Sequence, residues 1–168
     1  RAGDVIPKVV KTIINKRPDS AKKYILPKLC PVCSGKTVKS SDEVVLRCQN
    51  YNCDAQIKGR IKHFISKEGL DIDGFGEKLV DQLVDNNILK NISDIFYLKE
   101  EKLSKLDRMG DKSANNIINA IKSSKDNIIL SQFINGLGIR NVGTHASKIL
   151  DKTFNGNIMD LMQANYQS

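Results

Sequence analysis

The residues with the clearest chemistry are four cysteines, all between positions 30 and 53. Cys30-Pro31-Val32-Cys33 and Cys48-Gln49-Asn50-Tyr51-Asn52-Cys53 are two short-spaced pairs with 14 residues between them. Such pairs, set across a strand-containing insert, can aim four thiolates at one Zn2+ in a tetrahedron. Four thiolates saturate the ion and leave no position for water, so the chemistry on offer is structural rather than hydrolytic. Zinc held in this way would contribute on the order of 10 kcal/mol of apparent folding free energy to a module with little apolar content. The alternatives are two disulfides or a redox dithiol at Cys30 and Cys33. Nothing marks a secreted chain, which weighs against the first, and no βαβ pattern surrounds Cys30, which weighs against the second. His63 and His145, the two histidines, are not needed to complete the site and read as surface or packing residues.

A second pattern is a repeated glycine turn. Gly74-Phe75-Gly76-Glu77-Lys78, Arg108-Met109-Gly110-Asp111-Lys112 and Asn141-Val142-Gly143-Thr144-His145 each precede a helix-like segment. Their last glycines, Gly76, Gly110 and Gly143, are 34 and 33 residues apart. Glycine lets the backbone turn tightly and lets a phosphate approach with no Cβ in the way. Amides of the turn and of the first helical residues lack partners and point at one place, where the helix dipole also favours an anion. Contacts of this kind position a duplex without reading its bases. The candidate DNA-binding residues are therefore Gly74, Gly76, Gly110, Gly138 and Gly143, with Lys78, Lys112, Arg140 and Lys148 as nearby cations. Arg108 stands where the second unit would have its first glycine; it either hinders close approach or contacts a phosphate through its side chain. A single glycine at a helix end is often only a cap, and three in register weigh against that reading.

The elements that must position these residues fall into three regions. Residues 1–25 open with Asp4-Val5-Ile6-Pro7-Lys8-Val9-Val10-Lys11-Thr12-Ile13, a β-branched run that predicts one or two strands unable to bury a core alone. Residues 26–65 hold the cysteines and a strand-like run from Glu43 to Arg47. Residues 66–168 are helical: the spacing predicts helices over Glu77–Asn86, Asp111–Lys122, Ser131–Leu137 and Thr144–Leu150, each apolar on one side. The period suits tetratricopeptide or ankyrin repeats, but their signature residues are absent, and pairs of helices joined by a glycine hairpin fit better.

The net charge of +8 over 168 residues suggests a polyanionic partner. Residues 1–65 carry 14 Lys/Arg against 5 Asp/Glu, whereas residues 66–168 carry 13 against 14. Attraction to a polyanion is thus concentrated in the first third, and DNA contact elsewhere must rest on local arrangement. No run approaches the roughly 20 apolar residues of a membrane span, so no membrane partner is expected. The opening Arg1-Ala2-Gly3-Asp4 lacks an initiator Met and any signal-peptide pattern, which leaves a processed mature protein or a piece of a longer chain; the expectation is the piece, in the cytoplasm.

Taken together, these residues resemble the bacterial NAD-dependent DNA ligases. Arg1-Ala2-Gly3-Asp4-Val5-Ile6-Pro7 is similar to the end of that family's OB-fold domain, and Cys30 to Cys33 through Cys48, Asn50, Cys53, Ala55 and Gln56 to its zinc finger. Arg60 to Phe64 with Leu70 to Gly76, Lys112 to Ile117, and Leu137 to Gly143 are similar to its first three hairpins. Asp54 departs from the usual Pro, and residues 151–168 resemble the start of a fourth unit. The resemblance implies a mainly α chain: a truncated OB-fold tail (1–25), a four-cysteine zinc finger (26–65) and a helix-hairpin-helix domain (66–168). It implies zinc held by Cys30, Cys33, Cys48 and Cys53, and nicked double-stranded DNA as partner. For the parent enzyme it implies NAD, Mg2+ and a separate catalytic adenylation domain. The adenylated lysine of a Lys-x-Asp-Gly motif is absent, so the expectation is a DNA-gripping portion that does not ligate alone. Two rivals are a stand-alone zinc and helix-hairpin-helix repair factor, and a helical scaffold that binds protein.

Overall fold

The computed structural model describes residues 9–39 and 45–165. Residues 4–8 of the β-branched opening run lie outside them. Its described part, 9–13, forms no strand and leads into a 3-10 turn at Ile14–Lys16. Val9 and Val10 there are exposed, so neither the ladder nor the apolar face that a strand needs is supplied by the described residues.

The cysteine region forms two antiparallel strands, β1 (Thr37–Lys39) and β2 (Leu46–Cys48), with Thr37 opposite Cys48 and Lys39 opposite Leu46. Of the strand expected over 43–47, residues 43 and 44 lie outside the described residues, while Leu46 and Arg47 are in β2, whose pairing with β1 carries the chain into the second cysteine pair.

All other elements among the described residues are helical. Helix α1 (Asp54–Ile65) begins at the last cysteine, which is its N-cap. Helices α2 (Glu77–Asp85), α3 (Glu100–Leu103), α4 (Asp111–Asn127), α5 (Leu130–Gly136), α6 (Thr144–Thr153) and α7 (Ile158–Gln163) follow. A 3-10 helix at Ile92–Tyr97 is held by a capping box in which the Asn91 side chain accepts from the Asp94 amide and Asp94 accepts in return.

Consecutive helices pack in pairs, α1 on α2, α3 on α4 and α5 on α6, and α1 also packs on α5. Helix α1 buries Ile57, Ile61, Phe64 and Ile65 against α2 residues Val80 and Leu83, with Ala114 and Ile117 of α4 in the same core. Phe64 meets Phe96 and Phe133 edge-on, at centroid distances of 6.2 and 6.3 Å. Close approach behind Phe64 depends on Gly69: a Cβ there would lie 2.3 Å from the Phe64 carbonyl oxygen. Outside the core, Lys58 meets Asp85 at 2.7 Å and Lys62 meets Asp81 at 2.8 Å, joining α1 to α2 along its solvent side. No helix among the described residues is long and apolar enough to cross a membrane.

Candidate metal centre and nucleic-acid interface

The structure brings all four cysteines together. Their sulfurs lie within 4.8 Å of one another, with Cys30 to Cys53 at 3.9 Å and Cys33 to Cys48 at 3.5 Å. A tetrahedron of Zn–S bonds of about 2.3 Å has edges of about 3.8 Å, so the cluster has the size zinc requires. The chain makes two tight turns to reach this arrangement. The Cys30 amide donates to the Gly35 carbonyl and Ser34 takes a left-handed φ of 55°. A Cβ on Gly35 would sit 3.2 Å from the Cys33 sulfur, so only glycine passes this close without displacing it.

The sulfurs differ in how readily they ionise before any metal is bound. The Gly35 amide and the Asn50 side chain draw the Cys33 thiol down to about 6. Amides of Cys33 and Val32 lower Cys30. The Asn50 amide acts downward on Cys48, but burial and the neighbouring Cys33 and Cys30 outweigh it and push Cys48 up to about 12. Burial likewise raises Cys53. Local amides and Asn50 thus favour the thiolate at Cys30 and Cys33, while burial and neighbouring sulfurs oppose it at Cys48 and Cys53; a bound cation would favour the thiolate at all four.

The glycine turns prove to be three copies of one conformation. In each, the amide of the fourth residue donates to the carbonyl of the first: Phe75 to Ile72, Met109 to Leu106 and Val142 to Ile139, at 3.2, 3.1 and 2.9 Å. The third residue has positive φ each time, 72° at Gly74, 60° at Arg108 and 65° at Asn141, as a type II turn demands. Next come Gly76, Gly110 and Gly143, the N-caps of α2, α4 and α6, and none of these helices has a side-chain cap.

Of the described glycines with open space around an added Cβ, Gly59 lies inside α1 and these three stand at helix starts. Their φ values of −79°, −91° and −92° suit any residue, and an added Cβ would meet nothing within 4 Å. Neither backbone nor internal packing among the described residues calls for glycine there. Gly138, by contrast, has an internal reason: φ is 64° and its Cβ position lies 3.2 Å from His63, whose Nε2 is 2.8 Å from the Asn135 carbonyl oxygen. His63 is thereby a packing residue that joins α1 to the end of α5.

Lys78 and Lys112 occupy the second position of α2 and α4, and both are exposed, as are Arg140 in the third turn and Lys148 on α6. His145 is the third helix's counterpart of the two lysines. The first two turns line one cleft, with Gly74 on one side and Arg108 and Met109 on the other. The third turn does not line that cleft. The turn conformation itself was hidden from sequence reasoning, because Arg108 is a poor residue for a left-handed position; the apolar pairs Ile72/Phe75, Leu106/Met109 and Ile139/Val142 are the signal that could have found it.

Residues 30–55 match the model of the NAD-dependent DNA ligase C4 zinc finger domain. Over 154 residues, 92% of this chain, the sequence is 44% identical to a DNA ligase of Staphylococcus saprophyticus. The chain belongs to the NAD-dependent DNA ligase family. It is also 47% identical over 156 residues to a DNA ligase of Desulfosudis oleivorans and 45% identical over 164 residues to one of Geobacter sulfurreducens. These matches cover 93% and 98% of the chain, which spans about a quarter (23–24%) of the length of these ligases. The family's zinc finger and the four clustered sulfurs agree on Zn2+ as the ion this ligase segment takes.

Proposed function

We propose that this segment holds nicked duplex DNA for a ligase whose catalytic domain lies elsewhere in the protein, and that it does so through three helix-hairpin-helix units. In each unit the amides that follow Gly76, Gly110 or Gly143 receive a backbone phosphate, and Lys78, Lys112, Arg140 and Lys148 supply charge beside them. Gly74 and Gly138 shape the backbone around these points. The observation that carries this reading is that glycine stands at three uncapped helix starts where nothing among the described residues requires it. An external group that approaches closely gives it a use, and a phosphate suits unpaired amides at the positive end of a helix.

Cys30, Cys33, Cys48 and Cys53 would hold the zinc as a closed structural centre, with no step of ligation passing through it. In the whole enzyme, NAD supplies the adenylyl group and Mg2+ assists phosphoryl chemistry; both belong to the catalytic parts. No Lys-x-Asp-Gly stands in this sequence, so the 168-residue chain alone is expected to form no ligated product.

The test is fluorescence anisotropy of the chain with nicked duplex, intact duplex and single strand over a salt series. Affinity for duplex should fall linearly on a log–log salt plot, and nicked duplex should bind best. Binding that is indifferent to salt, or none at low salt, would refute the phosphate grip and favour a protein-binding helical scaffold.

A further inference from the structure

We infer that the cleft between the first two turns is a subsite for one phosphodiester of the duplex, and that the Arg108 side chain, rather than a turn amide, is its main donor. The inference rests on the reading of the turns as a DNA grip and extends it to a residue that the glycine pattern leaves out.

The three turns share a third position with positive φ, filled by Gly74, Arg108 and Asn141. Glycine and asparagine enter that region readily; arginine does so against the clash of its Cβ with the backbone. Packing does not compel the choice, because Arg108 is exposed. Its guanidinium makes no hydrogen bond or ion pair with the described residues. Contacts among the described residues thus give no reason for arginine at this position, and an external anion would supply one.

The surroundings indicate which use. The cleft has a volume of about 350 Å³ and is lined by Asp73 and Gly74 from the first turn, Arg108 and Met109 from the second, and Ser113 and Asn116 from α4. Arg108, Ser113 and Asn116 bring a guanidinium, a hydroxyl and a carboxamide to one opening, and a planar guanidinium can grip a phosphate with two parallel hydrogen bonds. Asp73 is the one acid in this lining, and as an exposed carboxylate it opposes an anion only weakly. The donors lie between two turns whose following helices start with uncapped amides, so the occupant that fits is a phosphate on the same backbone that those turns grip.

The test compares the 168-residue chain with Arg108→Gly, Arg108→Lys, Asp73→Asn and Gly143→Ser, each by anisotropy over a salt series and by urea unfolding. Arg108→Gly should bind duplex about tenfold more weakly, the loss of one charge-assisted contact. Its log–log salt slope should shrink by about one. Its urea midpoint should stay level or rise, because glycine relieves the left-handed position. Arg108→Lys should keep the slope and fall between the two in affinity, and Asp73→Asn should bind more tightly than the parent. Unchanged affinity and slope in Arg108→Gly, with weakened binding in Gly143→Ser, would overturn the role of Arg108 and leave the turn reading standing. A lowered urea midpoint in Arg108→Gly would assign the residue to the fold and also overturn it. Absence of salt-dependent binding by the parent chain would overturn both.

Discussion

Replacing Gly76, Gly110 and Gly143 together by serine separates the two uses a helix start can have. The three sites have extended backbone, with φ between −79° and −92°, and open space where a side chain would go, so serine fits without strain. A serine hydroxyl at an N-cap accepts from the amides one turn into the helix, and it outranks glycine there by a few tenths of a kcal/mol. Three such caps should add about 1 kcal/mol, which for a domain of this size raises Tm by about 2–4 °C. The same hydroxyls occupy the amides that a phosphate would take and stand in its path. A hydrogen bond to a charged group contributes about 1.5 kcal/mol or more, about tenfold in affinity per turn. The triple variant should therefore bind nicked duplex up to about a thousandfold more weakly, if the three turns act independently, while melting at higher temperature. Calorimetry and anisotropy on the same samples would check both signs. A higher Tm with unchanged affinity would refute the idea that these glycines serve an approaching phosphate, and a lower Tm would refute the capping argument itself.

Other substitutions test the frame. Gly69→Ala puts a Cβ 2.3 Å from the Phe64 carbonyl oxygen and should cost about 1–3 kcal/mol by urea unfolding; a neutral result would mean that the turn yields easily. Cys48→Ser should lose bound zinc, read with a chromophoric indicator, while most far-UV helical signal persists, because α1 is anchored in the helical core; retained stoichiometric zinc would sink the four-cysteine assignment. Lys62 is raised above 10.5 mainly by its hydrogen bond to Asp81, with Glu77 adding to it. A raised lysine stabilises fully below its unfolded value and loses that contribution as pH climbs through the folded one. Lys62→Met should thus lower the urea midpoint by a constant amount near neutrality, and the gap should narrow above pH 10.5; a gap that widens there would contradict the ion pair.

Much of the helical half was legible because its starts are marked twice, by a glycine and by the onset of apolar residues at i, i+3 and i+4. Helices α2, α4 and α6 begin at Glu77, Asp111 and Thr144, as their spacing predicts. Helix α4 runs on to Asn127, since Ser123-Ser124-Lys125-Asp126 extend a helix without any apolar residue to announce it. Helix α1 was missed although Ile57, Ile61, Phe64 and Ile65 keep helical spacing, because the cysteines drew those residues into the metal module. The four sulfurs were legible from spacing alone, whereas their unequal ionisation depends on which amides and neighbours fold around each. The cleft beside Arg108 was not legible at all, since it joins turns 34 residues apart through the packing of α4.

The junction at Cys53 has a mechanical consequence. The last cysteine is the N-cap of α1, and two turns further along, Arg60 lies 3.8 Å over the Tyr51 ring and donates to the Tyr51 carbonyl oxygen at 2.8 Å. A lobe fastened at one point can swivel; fastened at two points along a stiff rod, it resists torsion as well as translation. The rod is about 18 Å long and its far half is embedded in the helical core. Removing the metal would therefore alter compliance more than content: each helix would remain, but the cysteine lobe would swing on a joint that had been locked.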